Sequence, residues 1–130
     1  MPEKKYKILI IDDDAFILNM YVAKFQKLGH EIETARSGGE ALSKIKDGYT
    51  PDVILIDIVL PDISGLDFLH SMKADKLAPE AISIMFTNQN SNAETERAKN
   101  LGVAGYIIKA NLIPSEVVGK VLEVAQNYKK

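Results

Sequence analysis

The chain has 130 residues, with 16 Lys and Arg against 18 Asp and Glu for a formal charge of −2; that length suits one domain, and the near balance gives no electrostatic case for nucleic acid or an anionic membrane. Apolar residues make up 46% and charged residues 26%, an ordinary mix for a globular protein with a core of its own. With no cysteine in the chain, disulfides, thiolate catalysis and cysteine-ligated zinc are excluded. The first residues, Met1-Pro2-Glu3-Lys4-Lys5, carry no signal-peptide apolar stretch, and no later run approaches membrane-spanning length, so the expected location is the cytoplasm.

Ile8 to Ile11 is the first apolar run of strand length, and Asp12-Asp13-Asp14 follows it directly. Phe16, Met20, Ala23 and Leu28 then recur at helical spacing, with Gly29 placed as a terminator. Glu31 to Ala35 alternates in part and predicts a short second strand near the sheet edge. Ser37-Gly38-Gly39 reads as a loop before a helix over Glu40 to Ile45 that ends near Gly48. Val53 to Ile56 is unbroken in apolar character, the mark of a strand buried on both faces. Asp57 stands at its end, where a carboxylate carries a large desolvation cost unless a cation or hydrogen bonds compensate.

Beyond Pro61 and Gly65, Leu66, Leu69 and Met72 predict a third helix, with Phe68 alongside. Ile82 to Phe86 is a fourth strand with Thr87 at its end, and a polar stretch from Asn88 to Asn92 leads into a helix carrying Ala93, Arg97, Ala98 and Leu101, closed by Gly102. Tyr106 to Ile108 is a fifth strand, followed by Lys109. Pro114 suits the first turn of a last helix whose stripe is Val117, Val118, Val121, Leu122 and Ala125. Alternation of five strands with five helices predicts an α/β domain over residues 1–130, its parallel sheet covered on both faces. No linker, repeat or low-complexity tract interrupts it.

Polar residues thus end four apolar strands: Asp12 and Asp13, Asp57, Thr87, and Lys109. Any one alone reads as a solvated loop residue. Together they meet at the carboxyl edge of a parallel sheet, where open α/β folds bind ligands. Asp13 and Asp57 offer hard oxygens suited to magnesium, with Asp12 acting through a bound water because magnesium retains several. A carboxylate beside magnesium and Lys109 is a competent nucleophile toward phosphorus, giving an aspartyl phosphate, and Thr87 can donate its hydroxyl to a phosphoryl oxygen.

In Ile10-Ile11-Asp12-Asp13-Asp14, Ala35-Arg36-Ser37-Gly38-Gly39-Glu40-Ala41-Leu42, Asp57-Ile58-Val59-Leu60-Pro61-Asp62-Ile63-Ser64-Gly65, Phe86-Thr87 and Tyr106-Ile107-Ile108-Lys109, the chain resembles a response-regulator receiver domain. The resemblance covers nearly the whole chain. It implies a doubly wound, flavodoxin-like fold with strand order 2-1-3-4-5. It also implies phosphoryl transfer to Asp57 from a histidine kinase or phosphotransfer protein, with Mg²⁺ as cofactor. Thr87 and Tyr106 match the family's coupled switch positions, and Val59 matches the position whose backbone carbonyl helps to hold the metal. The implied output surface, which takes a protein partner, is the face of the fourth helix, fifth strand and fifth helix. Monomer and phosphorylation-dependent dimer both stay open.

Val59, Asn88 and Gln89 lie at positions that tune phosphate lifetime in the family; an apolar Val59 cannot hydrogen-bond an attacking water, which favours a longer-lived phosphate. Two residues depart from the family pattern. Ala110 replaces the usual proline after Lys109, and a cis bond before alanine costs roughly 3 kcal/mol, so the Lys109-Ala110 bond is expected to be trans. Asn88 replaces a small residue, and its side chain either crowds the phosphate pocket or adds a donor to it.

His30 and His70 read as surface histidines, Asp14 serves either the acidic pocket or helix capping, and Lys129-Lys130 reads as a solvated tail. The alternatives are weaker. A hydrolase working through an aspartyl intermediate, as in the haloacid-dehalogenase group, needs a second acid that Asp57-Ile58-Val59 lacks. A phosphate-independent binding module does not need the intact Asp12, Asp13, Asp57 and Lys109. Flavin binding needs a phosphate-cradling loop where this chain is acidic.

Overall fold

A computed structural model describes residues 4–88 and 91–128. The chain alternates β1 (Lys7–Ile11), α1 (Ala15–Lys27), β2 (Glu31–Ala35), α2 (Gly38–Lys46), β3 (Val53–Ile56), α3 (Gly65–Ala74), β4 (Ile82–Thr87), α4 (Asn92–Asn100), β5 (Gly105–Ile108) and α5 (Pro114–Asn127). The strands form one parallel sheet in the order β2-β1-β3-β4-β5, as the resemblance implies. A short 3₁₀ turn, Lys109–Asn111, joins β5 to α5; strand periodicity gave no sign of it.

The unbroken apolar runs are explained by two cores, one on each face. Ile8, Ile10, Val53, Leu55, Ile84 and Phe86 pack with Leu18 and Phe25 of α1 and Val117 and Val121 of α5. Leu9, Ile11, Ile54, Ile56 and Met85 pack with Ala41 of α2, Phe68 and Leu69 of α3 and Ala98 of α4. Alternate residues of each central strand therefore serve opposite cores, which is why neither face can be polar. β2 lies at the edge and keeps its glutamates exposed.

The second helix starts earlier than expected: Gly38 and Gly39, read as loop, form the first turn of α2 because the Ser37 side chain caps it. Asp14, Ser37, Ser64 and Ser91 each accept a backbone N–H in the first turn of α1, α2, α3 and α4, satisfying donors that no helix can satisfy internally. Asp14 is thereby a cap for α1. In α5, Glu116 closes the start by accepting the Ile113 N–H at 2.9 Å. Gly29, just past α1, has φ of +90°, a conformation that strains any side chain.

His30 departs from the expectation of a surface histidine. It is buried: its Nδ1 accepts the Tyr6 N–H at 3.0 Å, and its ring stacks on Tyr6 and meets Phe25 edge-on. A polar ring reads as exposed from sequence, but a backbone donor and two aromatic neighbours satisfy it inside. His70 is exposed, as expected. Lys129 and Lys130 lie outside the described residues. Among the described residues no helix is long and apolar enough to cross a membrane.

Register sets the site. Ile11 pairs with Ala35 on one side and Ile56 on the other, so Asp12 and Asp57 emerge side by side. Thr87 pairs with Ile108, which places Lys109 next at the same edge. Gly65 opens α3 against this edge; a Cβ there would lie 2.1 Å from the Asp57 carbonyl oxygen and 2.7 Å from Ile56 Cγ2. Gly65→Ala is expected to lower unfolding free energy by about 2 kcal/mol. Gly119→Ala, in the interior of α5 with nothing within 4 Å of the new Cβ, is expected to raise it by about 0.8 kcal/mol. Urea denaturation checks both, and equal effects at the two positions would contradict the packing argument.

Candidate functional site

Asp12 and Asp57 are both buried at the mouth of the sheet, and Lys109 lies between them. Its Nζ donates to Asp57 Oδ2 at 2.8 Å and to Asp12 Oδ2 at 2.5 Å. The ammonium also sits 4.9 Å above the Phe86 ring, a cation–π contact that seats it from beneath. Asp57 Oδ1 accepts from the Thr87 hydroxyl at 2.7 Å and the Val59 N–H at 3.2 Å. Asp12 Oδ1 accepts the Asp14 N–H at 3.0 Å. Burial of these carboxylates is thus compensated at every oxygen.

Electrostatics follow from this crowding. Burial pushes the Asp12 carboxyl above its ordinary range, and the bonds from Lys109 and the Asp14 N–H only partly offset it. Burial works against the Lys109 charge, yet hydrogen bonds to Asp12 and Asp57 outweigh it and hold Lys109 above the ordinary lysine value. One cation faces two buried carboxylates, with Asp13 exposed beside them. Local charge stays negative.

The remaining predicted residues divide. Among the described residues the Asp13 carboxylate has no hydrogen-bond or ion-pair partner, while its backbone carbonyl accepts from Arg36 Nη2 at 3.0 Å. The Val59 side chain is exposed at the rim. Tyr106 is half-buried on β5 against the core that α4 caps, with its hydroxyl bonded to Thr95 of α4; burial raises its pKa. Asn88 Oδ1 accepts the Ala110 N–H at 2.9 Å, a contact with the residue after Lys109. The Lys109-Ala110 bond is trans, as its cost predicts. Gln89 lies outside the described residues.

Two positioning contacts had no signal in single-residue chemistry. Asp62, in the loop after β3, accepts from the Gly38 and Gly39 N–H groups at 3.0 and 2.7 Å, and so ties the start of α2 to the loop that carries Val59. Its own loop's Ile63 N–H and that of Gly39 hold its carboxyl below the ordinary range. Arg36 braces the backbone at Asp13. A carboxylate two residues before a serine cap could be suspected of serving a helix start, but not that of a helix earlier in the chain. A cavity of about 440 Å³ lined by Leu69, Met72, Lys73, Leu77, Ser83 and Leu101 lies at the other end of β4, remote from these carboxylates.

The sequence model of the response regulator receiver domain family matches residues 8–119. A protein-glutamate methylesterase/protein-glutamine glutaminase of Bacillus licheniformis is 37% identical over 106 residues, covering 79% of this chain and 29% of the relative. The response regulator SaeR of Staphylococcus aureus is 29% identical over 123 residues, covering 95% of this chain and 52% of SaeR. The chain therefore spans about half the length of these curated relatives or less. A CheY-like response regulator receiver domain from Methanospirillum hungatei superposes with a TM-score of 0.84 at 34% identity, covering 95% of each chain.

Removing the shared cation tests the electrostatic account. Lys109→Met is expected to lower stability at pH 7 by about 3 kcal/mol, because it leaves two buried carboxylates uncompensated. The Asp12 pKa is raised in the folded state, so its contribution is fullest below the ordinary carboxyl range and is lost as pH rises through the raised value. Acidification toward that range should therefore recover part of the variant's loss. Lys109 works the same way at the other extreme: its contribution to the wild type is complete below 10.5 and is lost as pH rises through its higher folded value. Urea melts at several pH values and carboxyl NMR titration check this; a deficit in Lys109→Met that does not change with pH would mean lost packing alone.

Proposed function

The chain belongs to the response regulator receiver domain family, and on that premise we propose that it is a phosphorylation switch whose phosphoacceptor is Asp57. The observation that carries the reading is the set of contacts on one carboxylate. Asp57 Oδ2 meets the Lys109 ammonium, and Oδ1 meets the Thr87 hydroxyl and the Val59 N–H. Donors gathered on this one carboxylate support the reading, because they can be handed on to the oxygens of a phosphoryl group attached there.

Magnesium fits the donor set. Among the described residues no three His, Cys, Asp or Glu side chains converge as a ready-made metal cage. Magnesium does not require one, since it binds through one or two carboxylates and keeps its waters and phosphate oxygens. The exposed Asp13 carboxylate, without a partner among the described residues, and the excess of negative charge beside it support such an ion. Asp12, Asp13, Asp57 and the Val59 carbonyl would hold it, and when bound it supplies positive charge to phosphoryl oxygens.

The chain's own residues do the rest. A carboxylate oxygen of Asp57 forms a bond to phosphorus as the bond from phosphorus to the donor's histidine nitrogen breaks, and that nitrogen keeps the electron pair. Lys109 passes from a carboxylate oxygen to a phosphoryl oxygen. Thr87, released from Asp57 Oδ1, donates to another. Modification adds negative charge and strong acceptors in a buried position, enough to shift a two-state packing. Thr87 and Tyr106 form the switch, and Tyr106 transmits it to α4 through Thr95. α4 suits a movable element because Ala98 is the one residue that it buries. The output partner then reads the α4–β5–α5 face, and a histidine kinase or phosphotransfer protein supplies the phosphoryl group. The protein acts as a signal rather than a turnover enzyme, in the cytoplasm. Val59 cannot hold an attacking water, which lengthens phosphate lifetime, and Gln89 shares that tuning role.

Incubation with acetyl phosphate and magnesium, followed by intact mass, is expected to show one added phosphoryl group on the wild type and none on Asp57→Asn. Lys109→Ala should slow uptake roughly hundredfold, the scale of losing one charged stabiliser. A folded wild type that gains no mass and shows no spectral response to beryllium fluoride with magnesium would sink the reading.

A further inference from the structure

Thr87 and Asn88 are neighbours in the chain but reach different partners. Thr87 Oγ1 donates to Asp57 Oδ1 at 2.7 Å, while Asn88 Oδ1 accepts the Ala110 N–H at 2.9 Å. Ala110 is bonded to Lys109, whose Nζ returns to Asp57 Oδ2 at 2.8 Å. The path from Asp57 through Thr87, Asn88, Ala110 and Lys109 back to Asp57 is therefore a closed ring. It adds a side-chain link between the ends of β4 and β5, one residue beyond the last ladder pair, Thr87 with Ile108.

The two departures from the family pattern are one feature. A proline at position 110 has no N–H to give, so the acceptor that Asn88 brings would find no donor there. Here alanine supplies the donor and asparagine the acceptor. We propose that Asn88 is a positioning residue: its amide oxygen clamps the Ala110 N–H, fixes the trans Lys109-Ala110 peptide at the start of the 3₁₀ turn, and so aims Lys109 at Asp57. Ile108 is extended and the turn begins at Lys109, so the backbone changes direction at the residue whose side chain must reach back over the sheet edge. The orientation of that peptide decides where the long lysine side chain starts.

A plainer role for Asn88 is to satisfy one N–H of a 3₁₀ turn. The Ala110 amide is at the surface, where water can replace the asparagine at little cost to stability. A capping role therefore predicts no change at Lys109, whereas the positioning role predicts a change there without one in stability. The effect on phosphoryl uptake rests on the reading of Asp57 as phosphoacceptor; the effect on Lys109 does not.

The test uses the full chain and Asn88→Ala. Amide exchange at Ala110 is expected to accelerate about tenfold and the Lys109 ammonium NMR signal, slowed in exchange by its two carboxylates, to broaden or shift, with the urea midpoint unchanged. Uptake from acetyl phosphate should slow about fivefold, the factor that one ordinary hydrogen bond supplies. Asn88→Asp keeps an acceptor and should retain Ala110 protection. In an Ala110→Pro background, which has no N–H to clamp, Asn88→Ala should have no further effect on the Lys109 signal. An unchanged Lys109 signal in Asn88→Ala overturns the proposal, as does a full additional loss in the Ala110→Pro background. If the wild type takes up no phosphoryl group, the reading of Asp57 fails, and the clamp is still decided by the Ala110 and Lys109 signals.

Discussion

The ammonium of Lys109 between Asp12 and Asp57 is the contact around which the rest of the carboxyl edge is arranged. Two carboxylates buried next to each other cannot both stay ionised without a cation, because both desolvation and mutual repulsion oppose it. The register of a parallel sheet nevertheless puts them side by side, since Ile11 pairs with Ile56 and each is followed by an aspartate. Lys109 must then come from a strand two places away and reach over β4. The Phe86 ring beneath its ammonium and the turn at residues 109–111 make that reach possible.

Around this contact the loops are tied to one another rather than left to the strands. Asp62 joins the start of α2 to the loop after β3, Arg36 braces the backbone at Asp13, and Asn88 links the ends of β4 and β5. Each tie uses a side chain from one loop and a backbone group from another. The chemistry of the edge is thereby held by polar contacts on a sheet whose own stability comes from two apolar cores.

Much of this was legible in the residues. The apolar runs at 8–11, 53–56 and 82–86 marked strands covered on both faces because each is too uniformly apolar to present a wet side. Asp14 could be read as a cap for the first helix because it supplies an acceptor that a helix lacks, whereas the capping roles of Ser37, Ser64 and Ser91 came from the structure. Asp12, Asp57, Thr87 and Lys109 stood out because polar groups ending buried strands need partners. His30 misled for the opposite reason: its partners, the Tyr6 backbone and the Tyr6 and Phe25 rings, come from α1 and from the approach to β1, and no local pattern announces them.

By itself, then, the sequence determined which segments become strands and helices, and which polar residues end at the strand tips, because hydrophobic period and capping chemistry are local properties of the chain. Strand order came through likeness to a family, not through period. Only the tertiary structure decided which oxygen meets which donor: Lys109 across two carboxylates, Thr87 already on Asp57, Asp62 on the start of α2, and Asn88 on Ala110. Those pairings join residues 22 to 97 positions apart. They depend on register and on the direction in which each loop leaves the sheet, and both are set by packing that no short stretch of sequence contains.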